Sequence, residues 1–251
     1  LHDAGFAVDP NFHGWKTSNL LDRVRRMLTR ADLVIVPSTP CQKDAELLGV
    51  DPEKVRVIPH GVSPRFQLPK EPSIEGDGFL LSVGTLEPRK NYARTLKAME
   101  TAWKNGVEED WIIVGGRGGE SRDFLDRCSA SPWSKKIRIV PQANDEELRR
   151  MYQHTTALIH SSLHEGFGLP VIEAMSAGTP VVCSNATSLP EVGKDAALYF
   201  DPVDPAGGAA AILEALSRSD ELVERGLEHS RAYSWERTME GHLDCYRELL
   251  G

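Results

Sequence analysis

No apolar run in the 251-residue sequence approaches the ~20 residues that a helix needs to cross a bilayer. Four cysteines (Cys41, Cys128, Cys183 and Cys245) are scattered without paired spacing, so they read as buried packing thiols in a reduced, cytoplasmic setting rather than as a disulfide framework. Basic residues are outnumbered 29 to 37, and a net charge of −8 argues against nucleic acid as a partner and gives no general attraction to anionic membranes. Self-similarity at a short fixed period is absent, which excludes a solenoid. What remains is an ordinary globular composition, 40% hydrophobic and 26% charged, long enough for one or two domains with a sizeable core.

The pattern along the chain is strand alternating with helix. Leu33–Val36 and Val55–Ile58 read as strands flanking a helix over about Cys41 to Leu48 that Gly49 ends, a right-handed parallel unit by default. Pro and Gly crowd the stretch from Pro59 to Gly78 and periodicity is lost there, which marks a linker. Six further strands follow, Phe79–Val83, Trp111–Val114, Ile137–Val140, Ala157–His160, Val181–Cys183 and Leu198–Phe200, with helices between them. Asp145 is the expected cap of the helix carrying Leu148, Met151 and Tyr152. The expected fold is α/β, a doubly wound parallel sheet that binds ligands outside the carboxyl ends of its strands.

The most informative stretch is His164-Glu165-Gly166-Phe167-Gly168-Leu169-Pro170-Val171-Ile172-Glu173. It follows a short buried strand, and Pro170 suits the first position of a helix that stops at Gly178. Gly166 and Gly168 allow close backbone approach, so Gly166, Phe167, Gly168 and Leu169 should present unpaired N–H groups at the positive end of a helix dipole. Glu165 and Glu173 flank that anion site. Carboxylates beside a phosphate cradle make sense when the phosphate carries sugars, whose hydroxyls donate to them.

Gly84-Thr85-Leu86-Glu87-Pro88-Arg89-Lys90-Asn91 is a second loop at a strand end, with cations at a helix start that favour an anionic partner. Arg89 can grip phosphate bidentately, and Lys90 adds a point charge. Gly115-Gly116-Arg117-Gly118-Gly119 is glycine-rich but lacks the full dinucleotide fingerprint, so it reads equally as a close approach near the cleft or as a flexible loop. His160 and His164 straddle a strand end and a loop, where an i, i+4 metal pair would need a helix, and His60 has no partner ligands at suitable spacing, so no metal site is expected. The helix over Leu20 to Leu28 carries Arg23, Arg25, Arg26 and Arg30 on one face, a solvated surface or a peripheral membrane contact.

Taken with its glycines, its proline and the downstream Gly178-Thr179-Pro180, the pattern Glu165, seven residues, Glu173 resembles the donor-site signature of retaining glycosyltransferases of family 4, which have the two-Rossmann-domain GT-B fold. The resemblance implies that Glu173 holds the nucleotide ribose, Glu165 lies by the donor sugar, and the amides of Gly166 to Gly168 meet the sugar and pyrophosphate. It implies diphosphate contacts from Arg89 and Lys90 in the Gly84 loop, where Thr85 stands in place of a more usual Arg. Gln142 falls where relatives hold the nucleobase largely through backbone groups, and Gly116, in the glycine-rich turn near the cleft, is a further candidate for donor binding. His2, in a terminal Leu-His-Asp, resembles a histidine near the donor sugar or is an incidental end residue. Residues 1–59 correspond to the remainder of an N-terminal acceptor-side domain, 60–78 to a hinge, 79–230 to the donor-binding domain and 231–251 to a final helix returning toward the first domain or simply a terminal helix. On the order of a hundred or more residues of the first domain would then precede His2, in the same chain or another.

The implied function is metal-independent transfer of a hexose, with mannose favoured, from a GDP- or UDP-linked sugar to a glycan or lipid-linked acceptor, with no cofactor. The enzyme would be cytoplasmic or peripheral at the inner face of a membrane. A donor-binding module inactive without a partner chain is the alternative outside enzymes. A GT-B epimerase or phosphorylase is the alternative within the fold.

Overall fold

The computed structural model describes residues 1–8, 18–67, 78–118 and 121–251. Thr17, which with Ser18 is a candidate cap of the helix over Leu20 to Leu28, most of the Pro- and Gly-rich linker and Gly119 therefore lie outside the described residues. A short helix α1 (Gly5–Val8) and α2 (Ser18–Leu28) precede a two-stranded parallel sheet of β1 (Val34–Val36) and β2 (Val55–Val57), joined through α3 (Thr39–Leu47). Ser38 caps α3 by accepting from the Cys41 N–H at 3.3 Å, so the helix starts two residues before Cys41. Gly49 then closes the end of this helix segment at a φ of 92°.

The larger unit is a six-stranded, all-parallel sheet in the order β5-β4-β3-β6-β7-β8. Its strands are β3 (Leu80–Val83), β4 (Trp111–Val114), β5 (Ile137–Val140), β6 (Ala157–His160), β7 (Val181–Ser184) and β8 (Leu198–Phe200). The helices are α4 (Tyr92–Lys104), α5 (Ser121–Ala130), α6 (Asp145–His154), α7 (Leu169–Ser176), α8 (Leu189–Gly193), α9 (Pro205–Ser217), α10 (Ser219–Ser230) and α11 (Trp235–Leu250). The four central strands are almost wholly buried, as their unbroken apolar runs require. Alternate residues feed two cores: Leu80, Trp111, Ile113 and Ile159 lie in one with α4 and α9, and Leu81, Ile112, Leu158 and Val181 in the other with α7. Ser82 is the polar exception, and it is satisfied: its hydroxyl donates to the Ile159 carbonyl at 2.7 Å and accepts from the Trp111 indole at 3.0 Å.

Two local expectations are corrected. Asn144, not Asp145, caps α6: its side chain accepts from the N–H groups of Glu146 and Glu147 at 3.0 Å, while Glu147 reaches back to the Asn144 N–H at 2.8 Å. This reciprocal box outcompetes a single Asp cap. Pro170 occupies the second position of α7, because Gly168 takes the cap in a left-handed conformation and Leu169 comes first.

Helix α11 returns to the small sheet. The Thr238 hydroxyl donates to the Pro59 carbonyl at 2.8 Å, Gly241 packs on Ile58, and Arg56 pairs with Glu248. Val62 bridges Ser234, and a Cβ on Gly61 would lie 2.2 Å from the Trp235 nitrogen, so only glycine fits where the two segments cross. The sheet order places successive connections on opposite sides of β3, so the crevice between the ends of β3 and β6 is the topological switch point.

Candidate functional site

The loop after β3 is built around Gly84, whose φ of 145° suits glycine. A Cβ there would sit 2.9 Å from Lys90 Cε, so its absence lets the lysine stem cross the turn. Pro88–Lys90 form a 3-10 turn, and Asn91 ends it in the left-handed region (φ 61°). The Asn91 side-chain amide donates to the carbonyls of Ser161 (3.1 Å) and Pro202 (2.7 Å), tying this loop to the ends of β6 and β8. The next turn is zipped onto it: Leu86 N–H donates to Gly116 O at 2.9 Å, and a Cβ on Gly115 would fall 1.9 Å from Gly84 O. Gly115 and Gly118 thus stand in close backbone approach to the Gly84 loop. Gly116 itself has open space, with its nearest neighbour 3.8 Å from where a Cβ would be.

Arg89 and Lys90 converge on Glu165, which β6 delivers from the other side of the switch point. Lys90 Nζ lies 2.5 Å from Glu165 Oε1, and Arg89 Nη1 lies 2.9 Å from Oε2. Ser162 Oγ (2.7 Å) and His160 Nε2 (3.1 Å) also meet Oε1. Burial opposes ionisation of Glu165, but the Lys90 charge, the His160 hydrogen bond and the Arg89 charge overcome it and hold the carboxyl well below its ordinary range. Burial also lowers the His160 pKa, so its ring is neutral and donates from Nε2 to the carboxylate. Arg89 bridges onward, with Nε 2.7 Å from Glu87 Oε1 and Nη1 donating to the His164 carbonyl at 3.2 Å. Both cations are therefore already paired with carboxylate.

The Glu165–Leu169 loop is clamped from two directions. Its Glu165 N–H donates to Thr187 Oγ1 at 2.9 Å, and Ser188 Oγ lies 2.9 Å from the carbonyls of both Glu165 and Phe167. From the small-sheet side, Ser38 Oγ (2.6 Å) and Cys41 Sγ (3.2 Å) donate to Gly166 O, and His164 Nε2 stands 3.2 Å from Asp44 Oδ2. Glu191 accepts the Thr39 N–H at the start of α3 (3.0 Å). A Cβ on Gly166 would be 1.8 Å from the His2 carbonyl, and one on Gly168 (φ 107°) 2.7 Å from Leu189 Cδ2. The N–H groups of Gly166, Phe167, Gly168 and Leu169 donate to no acceptor among the described residues. Phe167 turns its side chain into the core, edge-on to His60 (5.2 Å) and Tyr233 (5.8 Å).

Glu173 lies one turn into α7, where Tyr152 of α6 donates to its Oε2 at 3.0 Å. Burial raises its carboxyl pKa, and the Tyr152 hydrogen bond offsets part of that rise. His2 is exposed and stacks on His60 (5.3 Å), its backbone rather than its ring pressing on the Gly166 loop. Thr85 and Gln142 are exposed. The structure thus gathers Arg89, Lys90 and Glu165 into one cluster, sets Glu173 on the following helix, and leaves Thr85, Gly116 and Gln142 outside that cluster. His160 and His164 face different carboxylates, and no group of three or more metal-ligating side chains occurs among the described residues. The supporting groups Asn91, Tyr152, His160, Ser162 and Asp44 are contributions that the motifs do not announce.

A two-sheet α/β molecule with charged loops at a switch point is the GT-B glycosyltransferase architecture. Solved structures sharing it include a glycosyltransferase from Rickettsia africae ESF-5 (TM-score 0.77, 16% identity, 93% of this chain and 67% of that one). Another is Anabaena Alr3699/HepE in complex with UDP (TM-score 0.80, 17% identity, 99% and 71%). By sequence the chain matches glycosyl transferases group 1 over residues 65–231 and Glycosyltransferase Family 4 over residues 2–66, and it belongs to the group 1 glycosyl transferases. Similar proteins include O-antigen chain mannosyltransferase B of Escherichia coli, 33% identical over 87% of this chain and 55% of the relative. O-antigen chain mannosyltransferase RfbU of Salmonella typhimurium is 30% identical over 72% and 51%. The chain spans about half the length of these relatives. No helix among the described residues is long and apolar enough to cross a membrane.

Proposed function

We propose that the chain supplies the donor site of a retaining glycosyltransferase that moves a hexose, mannose by preference, from a nucleoside-diphosphate sugar to a glycan or lipid-linked acceptor. The observation that carries this reading is the meeting of Arg89, Lys90 and Glu165 beside the free N–H groups of Gly166 to Leu169. The O-antigen mannosyltransferase relatives support mannose, and thereby a GDP-linked donor over a UDP-linked one.

Negative charge grows on the leaving diphosphate as the glycosidic bond breaks, and preorganised donors stabilise it. Lys90, Arg89 and the loop amides take that role, Glu165 orients the sugar, Glu173 binds the ribose, and His2 borders the sugar pocket. Both oxygens of Glu165 are engaged, so it suits holding a hydroxyl better than attacking the anomeric carbon. That favours same-face departure, in which a phosphate oxygen of the leaving group takes the acceptor's proton. Residues 60–78 act as the hinge between the acceptor-side and donor-side units, and α11 braces them. The site is expected to work without metal, in the cytoplasm or peripherally at the inner face of a membrane.

The test is release of nucleoside diphosphate from GDP-mannose and a panel of other sugar nucleotides, with and without a mannan-type acceptor. Acceptor-dependent release supports transfer. Binding without turnover supports a donor-binding module that needs a further chain segment, and absence of binding overturns both.

A further inference from the structure

Glu173 carries a long side chain whose terminal torsion is broad, so nothing intrinsic fixes the plane of its carboxylate. In this fold one oxygen is held: Tyr152 donates to Oε2 at 3.0 Å, and Oε1 accepts nothing from the described residues. Tyr152 is fully buried, with Phe66 edge-on against its ring (5.5 Å, 80°). Its backbone is pinned as well, because Thr179 Oγ1 donates to the Tyr152 carbonyl. The Gly178-Thr179-Pro180 turn after α7 therefore anchors α6, which in turn anchors the side chain of Glu173. Burial first, then the charge of Glu173, pushes the Tyr152 phenol well above its ordinary range, so the hydroxyl remains a donor at every working pH.

We propose that Tyr152 is a positioning residue for nucleotide recognition: its hydroxyl fixes the Glu173 carboxylate through Oε2 and turns Oε1 toward the vicinal hydroxyls of the donor's ribose. The proposal rests on the reading that Glu173 binds ribose. A carboxylate with one oxygen tethered presents the other in a single direction, which suits two adjacent hydroxyls held on one face of the ribose ring. Loss of the tether leaves Glu173 in place but free to rotate, so the ribose contact weakens while the diphosphate contacts at Arg89 and Lys90 persist.

The experiment compares affinities for GDP and 2′,3′-dideoxy-GDP, with the uridine pair in parallel, in the wild type, Tyr152→Phe and Glu173→Ala. Hydrogen bonds to a charged group contribute about 1.5–3 kcal/mol, so the wild type should prefer the ribose form roughly tenfold or more. Tyr152→Phe should reduce that preference to a few-fold while binding the dideoxy form as the wild type does. With the full sugar nucleotide it should raise KM and leave kcat nearly unchanged. The Phe ring keeps the packing against Phe66, and the preference is a ratio within one variant, so partial loss of folded protein cancels. If Glu173→Ala loses the preference and Tyr152→Phe retains it, the positioning role is overturned and the ribose reading stands. If Glu173→Ala retains it, the ribose reading fails and the proposal with it. Equal weakening of both nucleotides by Tyr152→Phe would also overturn the proposal.

Discussion

Replacing Glu165 by Gln removes the charge to which Lys90 and Arg89 are paired while keeping the shape of the side chain. Lys90 and Glu165 side chains are each 9% exposed and Arg89 15%, so solvent replaces little of what is lost. Removing one partner of a buried pair costs about 3–5 kcal/mol. Here the lower part of that range applies to Arg89, which keeps Glu87 at 2.7 Å, whereas Lys90 has no second carboxylate partner among the described residues. At roughly 2–4 °C per kcal/mol for a chain of this size, the unliganded variant should melt on the order of 10 °C below the wild type. A diphosphate supplies the missing negative charge, so a saturating nucleoside diphosphate should raise the midpoint of Glu165→Gln more than that of the wild type. Calorimetric or fluorescence melting with and without ligand reads both effects. An unliganded variant that melts with the wild type would refute the reasoning, because the carboxylate would then not be holding two buried cations.

The acid limb of stability follows from the same group. Its folded pKa is depressed below the ordinary 4.5, so its contribution is present above pH ~4.5 and is lost as pH falls from there through the folded value. Glu165→Gln should therefore show a shallower decline below pH 4.5 in urea unfolding, and an unchanged slope would count against the assignment. Lys90→Ala should weaken nucleoside diphosphate binding at least about tenfold, as loss of a charge-assisted bond implies, with less effect on the nucleoside alone; equal losses for both would contradict a phosphate role. Gly166→Ala places a methyl 1.8 Å from the His2 carbonyl, so it should loosen residues 1–3 from the loop and speed hydrogen exchange there, whereas Gly106→Ala, with nothing within 4 Å, should leave that region unchanged.

The four central strands are legible because each is buried on both faces, which leaves a nearly continuous apolar run between turn residues, and the half-buried edge strands β5 and β8 are legible from their short runs of Ile, Val, Leu, Tyr and Phe. The loop glycines are legible for a related reason: Gly84 and Gly168 hold backbone conformations that other residues resist. The ion-pair hub is not. Lys90 and Glu165 are 75 positions apart, and their meeting depends on β3 and β6 being neighbours, which local periodicity does not encode. His160 looks like the end of a buried strand and Tyr152 like one of several core residues on a helix face, until the fold shows each pointing at a carboxylate. Sequence alone places the cap of α6 one residue late, because Asn144 and Asp145 are both competent caps and only the reciprocal Glu147 bond separates them. Ser38, Cys41 and Asp44 reach the His164–Gly166 stretch, and Glu191 reaches the start of α3, through contacts whose partners are more than a hundred positions distant.

The central claim, that the Glu165–Glu173 stretch and the Gly84 loop form a nucleoside-diphosphate sugar site, is tested most directly by thermal stabilisation with a panel of nucleoside diphosphates and their sugars. A ligand at a hundred times its dissociation constant stabilises by about 2.7 kcal/mol, well within detection. The account predicts selective stabilisation by one nucleotide family, GDP and GDP-mannose first, and loss of that response in Glu173→Ala. Folded protein that responds to no nucleotide, or a Glu173→Ala variant that responds like the wild type, would contradict it.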